Sequence, residues 1–132
     1  MINPFIEQGI ELLRSKWSQS NVESSKYGGY LIIIPSILLP KSYRQTICTV
    51  LFVAPPGFPA SCPDHFFTDI RINLIDGSYP MNTVVEGNFP NNIWPAWGKS
   101  MWWSWHLQHW NPNHDSLYSY MRVIEQRLKL GY

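Results

Sequence analysis

Ile6, Ile10, Leu13 and Trp17 recur at steps of four, three and four, the spacing that places side chains on one face of an α-helix. Asn3 followed by Pro4 supplies a start, because Asn caps free first-turn amides and Pro tolerates the first helical position. The pattern predicts a helix over residues 4–18 with one buried face. Leu117, Met121, Ile124 and Leu128 repeat the same steps near the other end; Asp115 or Asn113 can cap that helix, and Gly131 stands where it can stop. Between the two stripes the period changes. "YLIIIPSILLP" is short and β-branched, a strand that Pro35 interrupts or places at a sheet edge. "QTICTVLFVAP" sets Ile47, Thr49, Leu51 and Val53 against Thr46, Cys48, Val50 and Phe52, and two largely apolar faces predict an interior strand. "PPGFPASCPDHFFTDIRINLIDGSYP" reads as a turn, a short strand within "HFFTDIRINL" and a turn at Asp76-Gly77. Residues 78–100 show no period and are expected to form an ordered loop held by its own aromatics. The order of elements predicts an α+β domain, a small antiparallel sheet covered by the two terminal helices.

Composition narrows the function classes. A chain of 132 residues fits one domain over residues 1–132,. With 45% hydrophobic and 14% charged residues, it lies on the apolar side of globular proteins, which excludes disorder and points to a surface with a partner. Ten basic and nine acidic residues, with no run of like charge, remove the electrostatic basis for nucleic-acid binding. "MINPFIEQGIELLRSKW" lacks a basic start followed by an apolar stretch, and no segment approaches the ~20 apolar residues of a membrane span. No membrane partner is expected, and the expected location is the cytoplasm. Cys48 and Cys62 lack CxxC spacing and read as reduced thiols. No cofactor motif is present.

The candidate chemistry sits in "SMWWSWHLQHWNPNHD", residues 100–115. Ser104 stands between Trp103 and Trp105, with His106 just beyond. A serine hydroxyl attacks a carbonyl when a base removes its proton and donors hold the oxyanion, and His106 is the nearest imidazole in sequence. The two are two residues apart, so they share a side in an extended segment or turn but not in a helix; in a helix, His109 or His65 would have to approach instead. The plainer reading of Ser104 is a small residue that lets rings pack. His106, His109 and His114 contain one His-Xaa-Xaa-His unit, and Pro112 breaks any helix before His114, so no metal site is expected. Trp17 and Trp110 are expected to pack on the sheet. Trp94, Trp97, Trp102, Trp103 and Trp105 are too many for one core, so some should be exposed as anchors for a protein or a sugar. Cys62 lies in a surface turn with no nearby Lys or Arg, more simply a small apolar filler than a reactive thiol; Cys48 belongs to the core.

Three features in fixed order resemble the ubiquitin-conjugating E2 superfamily: an opening amphipathic helix, a strand running into "PPGFPASCPDHFF", and "WNPNHDSLYSYMRVIEQRL", a Trp-Xaa-Pro turn followed by a helix. The resemblance is closer to a prokaryotic branch, E2/UBC family protein E, whose pattern Gly57, Phe58, Pro59, Pro63, Asp64, Phe66, Trp110, Pro112 and Asp115 fill. It covers nearly the whole chain and implies a UBC-like fold with a meander sheet. It also implies a carrier that receives a bacterial ubiquitin-like protein from an E1-type adenylating enzyme as an ester and passes it to an amine. A setting in antiphage defence, beside E1-like and JAB-type peptidase partners, is likewise implied. Such proteins normally place a cysteine several residues before the Trp of Trp-Xaa-Pro, and neither Cys48 nor Cys62 lies there. Ser104, six residues before Trp110, matches the serine of this branch; Ser100, ten before it, is the other hydroxyl in the window. There is no His-Pro-Asn tripeptide, so the oxyanion support is unassigned. The expectation is an oxyester on Ser104 with His106 as base. The alternatives are a non-catalytic module that only binds a ubiquitin-like protein or an E1, and an aromatic-lined carbohydrate binder.

Overall fold

A computed structural model describes residues 3–24, 28–85, 100–105, 107 and 109–132. Helix α1 spans Pro4–Lys16 and buries Ile6, Gly9, Ile10 and Leu13. The Asn3 side chain accepts from the Phe5 amide at 2.8 Å and donates through Nδ2 to the Phe58 carbonyl at 3.0 Å, so the cap also ties the helix to a distant turn. The helix ends two residues short of the expected residue 18. Trp17 is its C-cap and is half-buried; its ring lies 5.9 Å from that of Tyr118 in the second helix and packs against the core cluster that the helices share with the sheet. That second helix, α2, spans Leu117–Leu130, with Gly131 left-handed at φ 73° as its stop.

The α2 cap differs from expectation. Ser116, not Asp115 or Asn113, accepts from the Ser119 amide, and the Ser119 hydroxyl accepts in return from the Ser116 amide, a reciprocal box,. Asp115 is engaged one step earlier: its carboxylate accepts from the Asn111 amide at 2.8 Å and closes the turn that leads into the helix.

Six antiparallel strands lie in the order β1-β2-β3-β4-β6-β5, with β1 at Asn21–Ser24, β2 at Tyr30–Leu38, β3 at Ile47–Ala54, β4 at Phe66–Thr68, β5 at Thr83–Val85 and β6 at Met101–Trp103. The first four form the expected meander, and β6 then inserts between β4 and β5. Pro35 lies in an interior strand, not at an edge. Its missing amide falls at a register shift between Ile34 and Ile37, where Ser36 adopts φ 63°,. Strand β5 lies inside the expected loop 78–100 and β6 just after it, and at three residues each they are too short to show a period-2 signal,; residues 86–99 of that expected loop lie outside the described residues. Trp94 and Trp97 lie outside the described residues.

Alternation along β3 decides the layers. Cys48, Val50, Phe52 and Ala54 enter one cluster with the buried faces of α1 and α2, whereas Leu51 and Val53 join Leu31, Ile33, Phe67 and Trp102 in a smaller one on the reverse face. Both helices therefore cover the same side of the sheet. Their approach is close at Gly9, where a Cβ would meet the Leu117 side chain at 2.8 Å.

Candidate active site

Strand β6 carries the candidate nucleophile to its place. Trp103 is fully buried, pairs with Phe66 on one side and Thr83 on the other, stacks on the Phe66 ring at 5.3 Å and donates through Nε1 to the Thr68 hydroxyl at 3.1 Å. A ring of this size, with its polar atom satisfied, fixes the strand end firmly. Trp103 is thus the core tryptophan of its cluster, while Trp102 and Trp105 are half-buried.

Past Trp103 the chain turns. The Ser104 amide donates to the Asn82 carbonyl at 2.8 Å, and the Trp105 amide donates back to the Trp103 carbonyl at 3.0 Å. An i+2 to i bond closes a three-residue turn, and because Ser104 does not have positive φ, the turn is of the inverse γ type with Ser104 at its apex. Asn82 itself takes φ 62°, a conformation that Asn tolerates better than most residues. Ser104 is half-buried and lines a groove of about 610 Å³. Val123, Gln126, Arg127 and Leu130 form the far wall, steps of three, one and three that mark a single face of α2,. Asn82, Trp105 and Leu107 flank Ser104 on the near wall. Ser100, the other hydroxyl in the window, is 2% exposed at the start of β6.

Arg127 links the groove to the turn. It is 2% exposed, donates through Nη2 to the Met81 carbonyl at 2.7 Å, and stacks its guanidinium over the rings of Trp103 at 5.0 Å and Trp105 at 5.4 Å. By holding Met81 it orders the residue before Asn82, whose carbonyl in turn holds the Ser104 amide. Burial pulls its pKa below the ordinary value, an effect opposed by the neighbouring Tyr43; a guanidinium nevertheless stays cationic in proteins. Tyr43 donates to the Leu128 carbonyl at 2.8 Å, and burial pushes its phenol up.

The motif residues prove to be scaffolding. Trp110 donates through Nε1 to the Pro59 carbonyl at 2.7 Å and packs its ring 5.8 Å from Phe58, so the Gly-Phe-Pro turn and the Trp-Xaa-Pro turn are one contact in space. Trp110 also lies 6.5 Å from the Tyr120 ring of α2 and packs against the core cluster that the helices share with the sheet. The Gly-Phe-Pro turn needs Gly57 at φ 87°,.

A scan against family models matches prokaryotic E2 family E over residues 12–130. The chain belongs to prokaryotic E2 family E. No curated protein and no solved structure matches it significantly. The family E match spans both motif turns, the Ser104 turn and α2, and the two helices on an antiparallel sheet are a UBC-like α+β fold.

The remaining candidates in this family E chain fall as follows. Cys48 is buried, its thiol pushed up to about 12 by desolvation and then by the Asp69 charge. Cys62 is exposed, so it fills no core space as the filler reading required. His65 packs edge-on against Phe67 at 5.4 Å and Trp102 at 5.2 Å, and His109 is exposed. Neither lines the groove among the described residues. His106 lies outside the described residues. Sequence reasoning missed Arg127 and Asn82. Arg127 sits three residues after Ile124, inside the apolar stripe of α2, which is a signal that arginine's usual exposure masked. Nothing in the sequence marks Asn82.

Proposed function

We propose that this family E chain is an E2-type acyl carrier with Ser104 as its nucleophile. The Ser104 hydroxyl attacks the activated C-terminal carbonyl of a bacterial ubiquitin-like protein held as a thioester on an E1-type enzyme. An oxyester forms, the E1 thiolate leaves, and the serine proton passes to a base, for which His106 is the candidate. An amine then attacks the oxyester, an amide forms, and the serine oxygen departs and regains a proton. The observation that supports this reading is the apex position of Ser104 at an open groove, while Ser100 and Cys48 are buried.

An oxyester is less reactive toward amines than a thioester, so the loaded form should be durable. Incubation with an E1-type enzyme, ATP and the ubiquitin-like protein should yield a covalent adduct that resists thiol reductant and is released by hydroxylamine or mild alkali. Ser104→Ala should abolish it. An adduct that survives this substitution, or that reductant releases, defeats the assignment; a tight complex with no adduct favours the purely binding form of the same fold.

A further inference from the structure

Acyl transfer at a serine places negative charge on the carbonyl oxygen, and that oxyanion is stabilised by hydrogen-bond donors fixed in advance. The nearest backbone donors are already spent: the Ser104 amide donates to the Asn82 carbonyl at 2.8 Å and the Trp105 amide to the Trp103 carbonyl at 3.0 Å. A side chain is left to supply the contact. Among the described residues that line the groove, Asn82, Trp105, Gln126 and Arg127 carry side-chain N–H groups,. Arg127 is 2% exposed and turned onto the Met81 carbonyl and the faces of Trp103 and Trp105. The Trp105 ring is engaged in that stack, and Gln126 stands on α2, across the groove from Ser104. Asn82 is placed differently. The β5–β6 register that sets Thr83 opposite Trp103 continues by one residue into the bond between Asn82 and Ser104, and directly opposed residues of an antiparallel pair are side-chain neighbours. Asn82 is also exposed at the groove. Its position is fixed from both sides, because Arg127 holds the Met81 carbonyl and the Thr83 hydroxyl donates to the Pro80 carbonyl at 2.7 Å. Its φ of 62° is of the kind that side chains adopt at a cost and that gathers at functional sites.

We infer that Asn82 is a catalytic residue whose Nδ2 donates to the oxyanion formed at Ser104. The inference rests on the carrier reading and adds to it the donor that no sequence motif supplies. As the serine oxygen bonds to the thioester carbon, the carbonyl π pair moves onto its oxygen and the serine proton passes to the base. The pair returns when the C–S bond breaks and the thiolate leaves. The Asn82 amide stays neutral throughout and meets a full charge only in the intermediate, so its bond strengthens where the barrier lies.

The test gives the full-length chain an excess of the N-acetyl-Gly-Gly thioester of 2-mercaptoethanesulfonate, adds free thiol to strip any cysteine thioester, and follows the acyl group on Ser104 by intact mass and peptide mapping. Asn82→Gly deletes the side-chain amide but keeps the backbone carbonyl and favours positive φ. It should acylate Ser104 about 10²–10³-fold more slowly than wild type, while the Ser104 amide keeps its protection from hydrogen exchange. Glycine also loosens the loop, so Asn82→Asp serves as the second variant: Asp tolerates the same φ, offers an acceptor where the oxyanion needs a donor, and should be at least as slow. Acylation within about threefold of wild type in either variant, far from the loss an oxyanion donor imposes, overturns the Asn82 assignment and leaves the carrier reading standing. Slow acylation with the Ser104 amide unprotected in both variants marks a purely structural role and overturns it as well. Wild type that takes no acyl group on Ser104 overturns the carrier reading and the assignment together.

Discussion

A hydroxyl needs more help than a thiol to attack a carbonyl, because its proton is held far more tightly at neutral pH and must leave during the reaction. Cys48 would be the better nucleophile by chemistry, yet its surroundings disable it: at 4% exposure the thiolate is penalised by desolvation, and the thiol is pushed from 9.0 up to about 12. The sign for stability follows. Folding favours the protonated thiol, so the contribution of Cys48 is full below pH 9 and is lost as pH rises toward about 12,. Within that window wild type should lose stability faster than Cys48→Val, by on the order of 1 kcal/mol per pH unit, read from denaturant melts at stepped alkaline pH. Equal slopes would show that the thiol titrates normally. Under native conditions at neutral pH, iodoacetamide should modify Cys62 and spare Cys48,; intact mass followed by peptide mapping checks this, and equal labelling of both would contradict the burial. At this scale the sequence read Cys48 well, because alternation in a long strand reveals burial. It did not reveal Arg127, since a charged residue in an apolar stripe is legible only once the tryptophans beneath it are placed.

Each element is held by a few specific contacts. Gly9 lets α1 approach α2, and a Cβ there would meet Leu117 at 2.8 Å. Helix propensity favours Gly9→Ala by up to about 1 kcal/mol, whereas overpacking costs about 1–3 kcal/mol. The clash reaches Cβ of Leu117 as well as the movable end of its side chain, so the overpacking should win and the thermal midpoint should fall. A rise would mean that the helices separate freely. Ser116→Ala removes the α2 cap and should destabilise by about 1 kcal/mol, measurable by urea denaturation; an unchanged midpoint would argue against the reciprocal box. The two helices and β3 were legible because each is long enough to express its period. Strands β1, β5 and β6 were not, being four, three and three residues long, and β5 and β6 hold together through long-range pairing that no local pattern encodes.

In the whole molecule, the sequence motifs and the candidate chemistry divide the labour. Trp110, Pro59, Phe58 and Asp115 bind two distant turns into one corner, while β6 delivers Ser104 to a groove built against α2. The family pattern was therefore readable as architecture, and its match over residues 12–130 establishes the family. The groove was not readable, because its walls come from residues 82, 104, 105, 107, 123, 126, 127 and 130 and meet only after the sheet has formed. The reaction is tested most directly by digesting the adduct formed with an E1-type enzyme, ATP and the ubiquitin-like protein, and sequencing the branched peptide by tandem mass spectrometry. The account expects the acyl remnant on the oxygen of Ser104; a remnant on Cys62, Ser100 or a lysine would contradict it.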